Sequence, residues 1–118
     1  MKLPVFLDRL FASGVPEISP NELSVWMEEH RPLQLVDSRT GAEYRQGTIG
    51  KARHAPVTDL PEAIDRLKLD PSRPVVVLCL SGHRSVPGTR LLRQRGFEAY
   101  SLKGGLIAWR AVGYRLDP

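Results

Sequence analysis

Val75-Val76-Val77-Leu78 is the feature that most limits how this chain can fold. Four apolar residues in a row, three of them β-branched, are satisfied only where both faces of a strand are covered. The run predicts a central strand of a parallel sheet. Leu33 to Val36 is a second apolar run of this kind, closed by Asp37 where a parallel strand would open into a loop. Glu98 to Leu102 reads as a further short strand, and Ala52 to Pro56 as a brief extended piece.

Helix signals fall between these strands. Ser19-Pro20-Asn21-Glu22 has capping-box spacing with proline at the first helical position, which predicts a helix from Pro20 to about Glu29. Leu23, Trp26 and Met27 would face inward, and Pro32 lies beyond its end. Thr40-Gly41-Ala42-Glu43 repeats the box, and Gly47 supplies a left-handed stop. Leu60, Ile64 and Leu67 form a helical stripe closed by Asp70-Pro71. Leu91 and Leu92 lie in a helix ending at Gly96, and Leu106 to Ala111 form one stopped by Gly113. Alternation of this kind predicts an α/β fold, a central parallel sheet with helices on both faces, with ligands bound beyond the carboxyl ends of the strands. Gly14-Val15-Pro16 marks a boundary between an amphipathic arm, residues 1–14, and a domain over residues 15–118. Leu3, Phe6, Leu7, Leu10 and Phe11 recur at helical spacing in that arm, which is expected to dock on the domain.

At 118 residues the chain has room for one hydrophobic core. Hydrophobic residues at 42% and charged residues at 25% exclude disordered and coiled-coil classes. No apolar run approaches the ~20 residues of a membrane span, and Pro4, Asp8 and Arg9 interrupt the N-terminal apolar residues, so a cytoplasmic protein without membrane contact is expected. The single cysteine, Cys79, forms no internal disulfide, and His30, His54 and His83 have no zinc-site spacing. The net charge of +4 is scattered without aromatic interleaving, which argues against nucleic acid and for a small anionic ligand.

The chemistry is carried by Cys79-Leu80-Ser81-Gly82-His83-Arg84-Ser85, between the central strand and a helix opened by Val86-Pro87-Gly88. A lone cysteine ending an apolar strand is ordinarily a small buried hydrophobe. One glycine, two cationic candidates and two hydroxyls in the next six positions call for more than that. Backbone N–H groups of such a loop can curl around one point, and a helix N-terminus adds about half a positive charge, so Cys79 is expected to be a reactive nucleophile. Arg84 is expected to contact the ligand, and His83 either to stand solvated at the rim or to donate a hydrogen bond to the substrate. Asp37 and Arg39 suggest an ion pair tying strand end to loop, with Arg39 lending positive potential to the pocket. Ser81 and Ser85 would complete hydrogen bonds of the loop, Ser85 capping the following helix and Pro87 lying in its first turn. Gly104-Gly105 lack Walker spacing and read as backbone geometry, and Trp109 as core. His30 and His54 lack partner patterns.

With these residues in hand, the chain resembles the single-domain rhodaneses, whose active-site loop commonly reads Cys-x-x-Gly-x-Arg-Ser. Val36-Asp37-Ser38-Arg39 with Glu43-Tyr44 is similar to the family's Asp-x-Arg strand end and following helix, and Gly47-Thr48-Ile49-Gly50-Lys51-Ala52 to its Gly-His-Ile-x-Gly-Ala segment. Lys103-Gly104-Gly105-Leu106-Ile107-Ala108-Trp109, then Gly113, resembles its Gly-Gly-x-x-Ala-Trp signature, so the likeness covers Ile18 to Gly113. The resemblance implies a rhodanese-like α/β fold and a sulfurtransferase working through a Cys79 persulfide. Leu80, Ser81, Gly82, His83, Arg84, Ser85 and Arg39 would bind substrate, without metal or organic cofactor. Its implied partners are a small anionic sulfur donor such as thiosulfate and a thiol or cyanide acceptor, or a protein donor or acceptor. A sulfur-relay or partner-docking module without turnover is the alternative. Phosphatases and arsenate reductases on this fold need arginine six residues after the cysteine, where this chain has Ser85. Leu80 stands where many members have arginine, and Thr48 where histidine is common. An apolar rim at Leu80 suits a protein or low-molecular-weight persulfide better than a small dianion.

Overall fold

The computed structural model describes residues 14–118, and the arm signal from Leu3 to Phe11 lies outside them. Five parallel strands, β1 (Glu17–Ile18), β2 (Gln34–Asp37), β3 (Arg53–His54), β4 (Val75–Leu78) and β5 (Ala99–Leu102), form one sheet in the order β1-β5-β4-β2-β3. The connections carry α1 (Pro20–Glu28), α2 (Gly41–Arg45), α3 (Leu60–Leu67) and α4 (Ser85–Gln94), and α5 (Gly105–Ala111) follows β5.

The Val75–Leu78 run is the middle strand, and all four residues are fully buried. Val75 and Val77 enter a cluster with Leu60, Ile64 and Leu67 of α3 and Leu92 of α4. Val76 and Leu78 enter the opposite cluster, with Leu23 of α1 and Leu106 and Trp109 of α5. Helices therefore cover both faces, as the unbroken apolar run requires. Each such side chain contributes roughly 1.5–3 kcal/mol by leaving water.

Both capping boxes form: Ser19 with Glu22 opens α1, and Thr40 with Glu43 opens α2. Several boundaries differ from expectation. Strand β2 starts at Gln34 because the Gln34 side chain bonds the Asp70 N–H and the carbonyls of Asp70 and Arg73, clamping the approach to β4. Helix α3 stops at Lys68, which takes a left-handed conformation at φ 51° before Asp70-Pro71 is reached. Strand β1 has only two residues, too few to leave a periodic signal, and pairs with Ser101 and Leu102.

The carboxyl end of β2 is held by a buried ionic knot. Asp37 is fully buried and Arg39 is 4% exposed. The Arg39 Nε and Nη2 donate to the Asp37 carboxylate at 3.0 and 2.8 Å, and Nη2 also donates to the Gly47 carbonyl. The Arg39 backbone N–H and the Thr48 hydroxyl fill the remaining acceptor positions of Asp37, at 3.0 and 2.7 Å. Thr48 also exchanges backbone hydrogen bonds with Asp117, bringing the C-terminal residues back across this end, where the Trp109 Nε1 donates to the Arg115 carbonyl. The expected Asp37–Arg39 pair thus forms as part of a larger network. Asp37→Asn leaves the Arg39 charge buried without its counter-ion, and urea unfolding is expected to show a loss of about 3–5 kcal/mol. A loss below ~1 kcal/mol, the range of an exposed pair, would contradict this assignment.

Candidate active site

Cys79 is the first residue beyond β4 and continues the face of Val75 and Val77, so its side chain points toward the N-terminus of α4. It is fully buried. The Gly82 N–H donates to Sγ at 3.0 Å, and the Ser85 hydroxyl lies 3.4 Å from Sγ. Ser85 in turn shares a 2.6 Å hydrogen bond with the hydroxyl of Ser101 on β5, and both serines are fully buried. When sulfur is a thiolate, Ser85 donates to it and Ser101 donates to Ser85. A protonated sulfur can donate in the opposite sense, so the pair of hydroxyls suits either form.

Two glycines shape the loop. Gly82 turns at φ 94°, where a side chain would be strained and its Cβ would meet the Gly104 nitrogen. Gly105 turns at φ 63° against the carbonyls of Cys79 and Leu80, leaving no space for a Cβ. That close approach lets the N–H groups of Leu106 and Ile107 donate to those carbonyls at 2.9 and 3.0 Å. The N–H groups of Leu80, Ser81, His83, Arg84 and Ser85 make no hydrogen bond among the described residues. Carbonyls of the loop are thus tied outward to α5, while its donors stay available for an anion.

The predicted site residues separate into four groups. Cys79, Gly82 and Ser85 meet at the sulfur. Ser81 and His83 pair with each other at the exposed rim, Oγ to Nδ1 at 2.9 Å, and Leu80 stands beside them 39% exposed. Arg84 turns onto Glu43 in a two-pronged ion pair at 2.7 and 3.0 Å. This Arg84 hydrogen bond lowers Glu43 from its usual 4.5 to about 2, against the opposing effect of burial. Arg84 moves upward, through Glu43 first, with smaller contributions from Cys79 and Asp37. The loop's arginine is therefore within electrostatic reach of the sulfur but already has a counter-ion. Arg39 is held apart by Asp37 and Gly47, with Nη1 free of any hydrogen bond among the described residues.

Ser85 does not cap α4, contrary to expectation. The helix begins at Ser85 itself, its N-cap Arg84 makes no side-chain cap, and the Ser85 hydroxyl is drawn inward to Cys79 and Ser101. Pro87 lies in the first turn as anticipated. The sequence does not mark Glu43 as the partner of Arg84, nor Ser101 as the partner of Ser85. Ser101 carries a readable signal, a hydroxyl on the core face of β5 paired with Val77. Glu43 was taken up by the capping box, which it completes while also holding Arg84. His54 stacks on Tyr44 at 4.6 Å and its Nε2 lies 2.6 Å from the Arg39 carbonyl, a structural role. Among the described residues no group of three His, Cys, Asp or Glu could hold a metal, and no helix is long and apolar enough to cross a membrane.

The family model of the rhodanese-like domain matches residues 19–112, most of the chain and all of the elements that build this loop. The chain belongs to the rhodanese-like family. This rhodanese-like domain is 37% identical to a sulfurtransferase of Allochromatium vinosum over 84% of this chain and 92% of the relative. It is 36% identical to the thiosulfate sulfurtransferase GlpE of Shewanella oneidensis over 82% of this chain and 94% of the relative. A solved rhodanese-like domain protein from Staphylococcus aureus superposes with a TM-score of 0.72 at 29% identity, over 79% of this chain and 89% of that one.

The Glu43–Arg84 pair has a testable pH signature. Glu43 binds its proton more weakly in the folded chain than in the unfolded one, so its stabilisation is fully present above about pH 4.5 and is lost as pH falls toward about 2. The stability difference between wild type and Glu43→Gln, read from urea midpoints, should be constant from about pH 5 to 8 and close below about pH 4.5. A difference that instead persists unchanged down to about pH 2 would contradict the pairing.

Proposed function

We propose that this rhodanese-like domain is a sulfurtransferase in which Cys79 carries sulfane sulfur as a persulfide. The observation that carries the reading is the sole thiol at the carboxyl end of the central strand, ringed by loop N–H groups that have no acceptor among the described residues, at the N-terminus of a ten-residue helix. The Cys79 thiolate attacks the sulfane sulfur of the donor. With thiosulfate, the S–S bond of the donor breaks and sulfite leaves with its electron pair. Gly82 and Ser85, with Ser101 behind it, support charge on Sγ, and the amides of Leu80, Ser81, His83, Arg84 and Ser85 hold the terminal sulfur. Cyanide or a thiol then attacks that terminal sulfur, and the electron pair of the Sγ–S bond returns to Cys79.

Two observations support an organic persulfide as a better donor than a small dianion. Arg84 is engaged by Glu43, and exposed Leu80 makes the neighbouring rim apolar. A phosphatase reading finds less support, because position six after the cysteine is the buried Ser85 and the nearby guanidinium is committed to Glu43. After incubation with thiosulfate or an organic persulfide, intact mass should rise by one sulfur in wild type and not in Cys79→Ser, and cyanide should discharge it as thiocyanate. A folded wild-type protein that takes up sulfur from neither donor would overturn the reading.

A further inference from the structure

Ser101 is the far end of a short buried chain of groups that starts at the reactive sulfur. Cys79 Sγ lies 3.4 Å from the Ser85 hydroxyl, the Ser85 hydroxyl lies 2.6 Å from that of Ser101, and all three residues are fully buried. Three groups are thus joined by two links. Ser101 shares its face of β5 with Ala99 and stands opposite Val77, and both of those residues belong to the apolar cluster with Leu92. Its hydroxyl has no second partner among the described residues. A buried hydroxyl hydrogen left without an acceptor is costly, so the Ser101 hydroxyl donates to Ser85. The Ser85 hydrogen is then left for Sγ. In the reverse sense a protonated sulfur donates to Ser85 and Ser85 to Ser101, and the chain ends on a Ser101 hydrogen with nothing to receive it. A thiol is too weak a donor to offset that loss.

We propose that Ser101 is a positioning residue for the sulfur chemistry: acting through Ser85, it fixes the hydroxyl chain so that a hydrogen points to Cys79 Sγ. The inference rests on the reading of Cys79 as the sulfur carrier and adds to it a residue that touches neither the sulfur nor a substrate. With the Gly82 N–H at 3.0 Å as the other donor, Sγ is met by two hydrogens. This arrangement favours the thiolate that attacks the donor, and it supports the electron pair that returns to Sγ when the acceptor takes the sulfur away. The charged and titratable groups around the loop are Arg84, held by Glu43 of α2, His83 at the rim, and the Asp37–Arg39 pair at the end of β2. From α4 and β5 the chain is built of the uncharged Ser85 and Ser101. Substitution of Ser101 leaves every one of those charges in place, so a change in how the sulfur titrates reports the hydroxyl chain.

The test titrates the ultraviolet absorbance of the thiolate from about pH 4 to 9 in full-length wild type, Ser101→Ala, Ser85→Ala and the double variant. Cys79→Ser serves as the blank, and near-ultraviolet circular dichroism confirms the fold of each protein. The midpoint should lie higher in Ser101→Ala than in wild type by roughly 0.5–1 pH unit, the range of one neutral hydrogen bond. Ser85→Ala should raise it by at least as much. Adding Ser101→Ala to that background should change nothing, because the link through which Ser101 acts is already gone. A general loosening of the core would instead move both backgrounds alike. Coincident curves for wild type and Ser101→Ala, or an equal rise from Ser101→Ala in both backgrounds, would overturn the inference. The titration uses no sulfur donor, and loading of the same proteins, followed by intact mass, reads the persulfide assignment separately. Wild type that titrates as expected yet takes up no sulfur would overturn that assignment and leave the hydroxyl chain standing.

Discussion

The docking of the first turn of α5 onto the carbonyls of Cys79 and Leu80 is the contact on which the loop's shape depends. Two backbone hydrogen bonds, from Leu106 and Ile107, turn these carbonyls away from the sulfur. They can form only because Gly105 brings backbone against backbone with no Cβ between. Gly82 completes the turn from the other side, against Gly104. The Gly104-Gly105 pair, which lies far from the cysteine in sequence, thus belongs to the same construction as the loop itself. The loop's unbonded donors are a consequence of where its acceptors were sent.

Charge around the loop is arranged by the same economy. Asp37 fixes Arg39 at the end of β2 and Glu43 fixes Arg84 beside the loop, so both arginines are partly neutralised in place. Arg110, further along α5, forms no ion pair among the described residues. The immediate sulfur environment is dominated by neutral donors, the Gly82 amide and the Ser85–Ser101 hydroxyls.

Local signals in the sequence were legible because their physics is local. Capping boxes at Ser19 and Thr40, the stripe of Leu60, Ile64 and Leu67, and the doubly buried Val75–Leu78 each need only neighbouring residues to be read. The location of the loop at the end of β4 followed from them. What escaped is long-range. Strand β1 is defined by its partner β5, the Thr48–Asp117 bridge spans most of the chain, and Glu43 meets Arg84 across 41 positions. Ser85 has the sequence look of a helix cap, yet two buried partners compete for its hydroxyl and win, because an inward-facing hydroxyl left unpaired costs more than an exposed cap is worth.

The central claim is that the loop's unpartnered amides hold a sulfur atom on Cys79. A crystal structure of the sulfur-loaded protein tests it directly. The account predicts one added sulfur bonded to Cys79 Sγ, within hydrogen-bond distance of several amide nitrogens among Leu80, Ser81, His83, Arg84 and Ser85. Added sulfur that points away from the loop, with those amides bonded to water instead, would contradict it.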